Sequence, residues 1–213
     1  MKQIKFLIKF SKESELQRVL WTKERFKWYT DNKYDLNNFV LPKKFSAEEL
    51  SEKSDIEIAK YINEEYDIEF FQPHIQTINS MLPDYLNKLR DYFSEINVEV
   101  LPEIEIKLTR YGIGGSYGIP NGVVVNISKR FNIGLVRTIL HETIHLHIQN
   151  LIDKYKIGQW EKEIIVDCLF EKFSPDIFKK QNYLIDADTI QKIFKENYPN
   201  IELIMSSVSK IKK

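Results

Sequence analysis

Apolar and charged positions alternate from the start of the chain. Ile4, Phe6, Ile8 and Phe10 fall on one side and Lys5, Leu7 and Lys9 on the other, which predicts a half-buried strand over residues 4–10. Leu16, Val19, Leu20 and Phe26 then recur at helical spacing within residues 12–29. Ser46 with Glu49 and Ser54 with Glu57 are capping-box patterns, so a short helix is expected to start at each. Pro73 fits the first position of a helix that carries Ile75, Ile78, Leu82, Tyr85, Leu86, Leu89 and Phe93 on its apolar stripe. Pro83 inside it should kink or divide it, because it lacks the N–H a helix interior needs.

The pattern then changes period. Ile104, Ile106 and Leu108 alternate with Glu105, Lys107 and Thr109, a strand signature. Residues 112–122 hold five of the seven glycines and end in Asn121-Gly122, which reads as a turn region. Residues 123–128 form a second strand, whose consecutive valines 123 to 125 favour burial on both faces. A helix is expected over about 133–154 and another over about 159–173, stopped by Ser174-Pro175. One or two further helices follow, with Asp186 or Asp188 as an N-cap. The expected class is therefore α+β, a small antiparallel or mixed sheet packed on helices. Residues 1–213 read as a single domain, with a core over about 74–173, an N-terminal α/β extension over 1–72 and a C-terminal helical extension over 175–213.

Composition narrows the classes of function. The 31 basic residues balance the 31 acidic ones, so no net field steers the chain onto nucleic acid or an anionic membrane. Trp21 to Tyr29 mix bases with aromatic rings, a pattern that could stack nucleobases, but in a neutral chain a packed helix is the expected form. Cys168 is the single cysteine and cannot close an intrachain disulfide, which favours a reducing compartment. The longest apolar run in the first ten residues is Phe6-Leu7-Ile8, too short for a secretion signal. No stretch approaches the roughly 20 apolar residues that span a bilayer. A cytoplasmic protein without membrane or nucleic-acid partners is expected.

The candidate chemistry sits at His141-Glu142-Thr143-Ile144-His145. Residues four apart on a helix differ by about 40° around the axis and roughly 6 Å along it, so both imidazoles can face one metal ion. Glu142 lies about 100° from His141 and about 60° from His145, which suits a water on the metal better than the metal itself. Two ligands and one general base is the logic of H-E-x-x-H. Val136, Leu140, Ile144 and Leu151 share the opposite face, and His147 lies with them, as a core histidine would. A third ligand is sought among Glu161, Glu163 and Asp167. Glu161 lies about 200° from Glu163, so both cannot face the metal. Glu161 groups with Lys172 on what looks like a solvated face, whereas Glu163 and Asp167 group with Trp160 and Phe170.

With Glu163 and Asp167 spaced as E-x-x-x-D, 18 residues beyond His145, residues 104–173 resemble the gluzincins, the thermolysin-like branch of zincin metallopeptidases. The resemblance implies a zincin-like fold and a zinc ion held by His141, His145 and Glu163. It implies that Glu142 is the catalytic base and that Asp167 orients His141 from behind. It also implies a peptide or protein substrate, and a histidine or tyrosine that stabilises the oxyanion. Tyr117 and Tyr155 are the candidates for that role, with Tyr111 and Arg110 behind them. An extended substrate could add to a free sheet edge on either strand flanking the turn. The alternative is a zincin-fold metal-binding regulatory or interaction module with little or no turnover.

Overall fold

A computed structural model describes residues 4–42 and 45–211. The first strand, β1 (Lys5–Lys9), leads into α1 (Lys12–Glu24), capped by Ser11, whose side chain accepts from the Ser14 amide. The helix breaks at Arg25, whose N–H turns back to the Thr22 carbonyl at 3.1 Å, and resumes as α2 (Phe26–Asp31). Both predicted capping boxes form, at the starts of α3 (Ala47–Glu52) and α4 (Asp55–Glu65). The long helix expected after Pro73 is divided at Pro83 into α5 (Gln72–Met81) and α6 (Pro83–Glu95).

Strands β2 (Glu103–Thr109), β3 (Gly115–Gly118) and β4 (Gly122–Asn126) complete a mixed four-stranded sheet in the order β1-β2-β4-β3. β1 and β4 both run parallel to β2, and β3 runs antiparallel to β4. The protein is therefore α+β. β3 was not expected: the turn-rich stretch contains a strand. Gly-Ser-Tyr-Gly carries no apolar alternation, so its strand character comes from pairing with β4 and not from its own pattern.

The sheet's register decides which side chains reach which layer. Ile106 stands opposite Val123, Leu108 opposite Val125, and Tyr117 opposite Val123, so these share one face. That face is covered by α7 (Asn132–Tyr155), whose Val136, Leu140 and Ile144 are fully buried. α8 (Gln159–Phe173) packs beside α7, and α9 (Asp188–Asn197) and α10 (Ile201–Val208) close the same core. The cap of α9 is Ala187, not Asp186 or Asp188. Asp188 is the first helical residue and Asp186 accepts its N–H at 3.0 Å.

α1 covers part of the opposite face of the sheet. Its Glu15 is fully buried and accepts from the Arg110 N–H (3.0 Å) and the Thr109 hydroxyl (3.3 Å). β1 and α1 are thus built into the sheet and its cover. Only a smaller apolar cluster, with Val19, Phe26, Leu50, Ile58 and Ile62, stands apart.

Burial pushes the Glu15 carboxyl up to about 7, against the opposing pull of the Arg110 N–H and charge. A raised carboxyl pKa means the folded state favours the proton, so stability falls as pH rises from 4.5 through about 7. Glu15→Gln keeps the acceptor and removes the ionisation. We expect urea melts to show wild type losing up to about 3 kcal/mol relative to this variant between pH 5 and pH 8. Parallel pH profiles for the two proteins would contradict it.

Candidate metal centre

α7 and α8 bring the predicted donors together. His141 and His145 present their Nε2 atoms to each other at 3.1 Å. Glu163 Oε2 lies 3.2 Å from His145 Nε2 and 3.7 Å from His141 Nε2. A tetrahedral ion with bonds of 2.0–2.1 Å would hold its ligand atoms about 3.3–3.4 Å apart, so the three spacings fit a divalent metal ion. Glu161 does not line this cleft.

Each donor is held from behind. Gln159 Nε2 donates to Glu163 Oε1 at 2.9 Å, and Lys162 Nζ is 3.8 Å from that oxygen, which leaves Oε2 for the histidines. Asp167 Oδ1 lies 3.6 Å from His141 Nδ1. That carboxylate is itself fixed by the Gln181 N–H (3.2 Å), Gln181 Nε2 (3.1 Å) and the Tyr183 hydroxyl (2.5 Å). His145 Nδ1 is buried and has no hydrogen-bond partner; its ring is held instead by stacking on Tyr117, with centroids 5.0 Å apart and planes 7° off parallel.

Burial works to depress the charged form of His141, and is outweighed by its bond to Glu163 and the charges of Glu142, Glu163 and Asp167. Burial lowers His145 to about 4, with Glu163 opposing. Burial works to raise Glu163, and contact with both histidines overrides it and holds the group well below the usual carboxylate range. The pocket therefore presents an ionised carboxylate and a neutral His145, the forms that bind metal.

Glu142 is 9% exposed and stands clear of the donor set. It lies under β3 at Gly115, where an added Cβ would be 2.5 Å from its Oε1. The missing side chain at Gly115 lets the strand cross directly over the carboxylate. Burial raises the Glu142 carboxyl to about 7, with His141 pulling the other way. His147 lies apart from the cluster. Its Nδ1 donates to the Thr143 carbonyl (2.7 Å), Nε2 accepts from Leu101 N–H (3.3 Å), and the ring stacks on Phe93 at 4.0 Å.

The four candidates for oxyanion stabilisation separate. Period-two alternation along β3 points Tyr117 to the α7 side, where its hydroxyl donates to Gln149 Oε1 at 2.5 Å and accepts from Lys162 Nζ at 3.1 Å. Tyr155 is not brought to the site. It ends α7, ten residues and about 15 Å of helix beyond His145, and packs on the core beneath Lys154. Tyr111 and Arg110 are held together at Glu65, Tyr111 by a 2.8 Å bond, and neither lines the cleft.

The triad opens into a cleft of about 790 Å³ whose wall includes Trp21, Trp28 and Tyr29 of α1 and α2, Arg25 between them and Tyr34 just beyond. Tyr34 stacks on Trp160 at 5.9 Å and receives a bond from Gln159 (3.2 Å). The aromatic stretch expected to be a packed helix is thus packed on one side, through Phe26, and lines the cleft on the other. Sequence reasoning missed this wall, and also Gln159, Lys162, Gln181 and Tyr183. The mixture of bases and aromatics was the one available signal. Comparison of the chain with protein-family models, curated proteins and solved structures finds no match. No helix among the described residues is long and apolar enough to cross a membrane.

Proposed function

We propose that the chain is a zincin-like metallopeptidase that hydrolyses peptide bonds in a peptide or protein substrate with one zinc ion. The observation that carries this reading is the convergence of His141 Nε2, His145 Nε2 and Glu163 Oε2 within 3.1–3.7 Å, with Glu142 beside them but outside the donor set. Two imidazoles and one carboxylate suit zinc, and three protein ligands leave a position for water or substrate. When bound, zinc would polarise the scissile carbonyl and lower the pKa of the attacking water.

The chain's own groups do the remaining work. Glu142 accepts the proton of the attacking water and passes it to the leaving nitrogen. β3 pairs with β4 on one side and with no strand on the other among the described residues, so an extended substrate could pair with its free edge. Tyr117, stacked on His145, would turn its hydroxyl from Gln149 to donate to the oxygen that gains charge. Tyr117→Phe is expected to lower kcat by roughly 10²-fold with metal content retained; an unchanged kcat would remove Tyr117 from that role.

The proposal is tested by elemental analysis of the purified protein together with cleavage of a mixed peptide library read by mass spectrometry. One zinc per chain and new peptide termini are expected. A chain that takes up no zinc on titration would overturn the reading. Bound zinc without cleavage would leave a metal-holding interaction module in its place.

A further inference from the structure

We propose that Arg130 and Arg137 form a subsite of the metal cleft that binds a carboxylate of the substrate, an inference that rests on the peptidase reading above. Arg137 precedes His141 by four residues, so Arg137, His141 and His145 form one stripe along α7. Arg130 lies just ahead of that helix and folds back onto it, its Nε donating to Thr138 Oγ1 at 3.0 Å. Its guanidinium lies against the turn that enters β3, with Nη2 3.2 Å from where a Cβ on Gly114 would stand. Arg130, Arg137 and Thr138 all line the cleft that holds the triad.

What sets this pair apart is how little of either guanidinium is engaged among the described residues. The other four arginines are engaged: Arg18 with Ser116 Oγ and the Ile113 carbonyl, Arg25 over the Trp21 ring, Arg90 with Asp91, and Arg110 with the Glu65 carbonyl. Arg130 spends one of its five N–H donors, on Thr138, and Arg137 makes no hydrogen bond or ion pair among the described residues. The two charges are also close enough to oppose each other. Arg130 is half-buried, and its charged form is disfavoured first by that burial and then by Arg137, with Glu142 alone in its favour. Glu142 pulls on Arg130 more than Arg137 opposes it, but neither arginine has an ion-pair partner among the described residues, so an anion held between the two guanidiniums would offset both the burial and the repulsion. Their planar forks match a carboxylate in a bidentate manner.

Position limits where that carboxylate can lie on the substrate. From Arg137 to the midpoint of the two histidines is six residues of helix, about 9 Å. An extended peptide advances about 3.3 Å per residue, so the group sits within about three residues of the scissile bond. Two sources supply it: an aspartate or glutamate side chain, or the peptide's own C-terminal carboxylate.

The test uses zinc-loaded Glu142→Gln protein, which should bind without cleaving, and acetylated alanine hexapeptides in two arms. One arm carries a single aspartate, or asparagine as its neutral counterpart, at each position in turn with an amidated C-terminus. The other compares free with amidated C-termini. Isothermal titration should show one arm binding at least about tenfold tighter in the charged form. That ratio should fall to below about threefold when Arg137→Gln is added. Arg137 makes no hydrogen bond or ion pair among the described residues and opposes the Arg130 charge, so thermal melts of this variant should match its parent or lie above it, and Arg130→Gln provides a second variant. Equal binding of charged and neutral peptides in both arms would overturn the subsite. A preference that survives both arginine substitutions would overturn it too. A charge preference in a wild-type chain that cleaves none of these peptides, nor the mixed library, would remove the peptidase reading while supporting the subsite. Cleavage without charge preference would remove the subsite alone.

Discussion

Glu142→Gln should lower peptide hydrolysis by roughly 10²- to 10⁴-fold, the range a positioned general base contributes, while the protein keeps its zinc and its fold. The side chain is enclosed beneath Gly115 of β3 and is 9% exposed. Glutamine has the same shape, so it should fit beneath that glycine without moving the strand. It cannot take a proton from water at neutral pH, and that is the one property the exchange removes. The carboxylate is not among the three donor atoms that converge, so metal stoichiometry should be unaffected. Single-turnover cleavage and elemental analysis of the same preparation check both halves. An unchanged rate would reject Glu142 as the base, and loss of metal alongside the rate would mean that it acts as a ligand.

The second large effect is on the metal itself. His141→Ala, His145→Ala and Glu163→Gln should each abolish stoichiometric zinc binding, since each removes one of three donors spaced 3.1–3.7 Å apart. Asp167→Asn should weaken binding by about 10- to 100-fold, because the carboxylate facing His141 Nδ1 orients the ring without touching the ion. His147→Ala should keep the zinc and lose stability, since it removes a ring stacked on Phe93 and two backbone hydrogen bonds. Glu161→Gln should change neither. Because the ion would cross-link α7 to α8, a chelator should also lower the Tm of wild type and leave His145→Ala unmoved. Zinc present at 100 times its Kd contributes about 2.7 kcal/mol to the folded state. Equal zinc loss in His147→Ala would show that the stacked histidine belongs to the site, and zinc loss in Glu161→Gln would mean that α8 presents its other face.

Much of this centre is legible in the chain because its parts are local. The pairing of His141 with His145, the offset of Glu142 and the separation of His147 follow from helical geometry over a few residues. That geometry holds once Asn132–Tyr155 is a helix. The capping boxes at Ser46 and Ser54 and the division at Pro83 are local in the same way, and each forms where the sequence places it. The carboxylate on α8 is an intermediate case. Helical geometry shows that Glu161 and Glu163 cannot both face His141 and His145, but which of them does depends on how α8 lies against α7.

The remaining features depend on contacts between residues far apart in the chain. Gly-Ser-Tyr-Gly becomes an edge strand because β4 offers it hydrogen bonds, and that pairing carries Tyr117 to His145 and Gly115 over Glu142. Tyr155 is as good a tyrosine as Tyr117 in sequence terms, yet it faces the core at the far end of α7. The aromatic wall joins Trp21 and Tyr34 to a site more than 100 residues later, and Arg130 meets Arg137 beside it. Local periodicity fixes a side chain's direction within its own helix or strand. Which surfaces then meet is set by burial and hydrogen bonding summed over the whole fold, and no short stretch of sequence contains that sum.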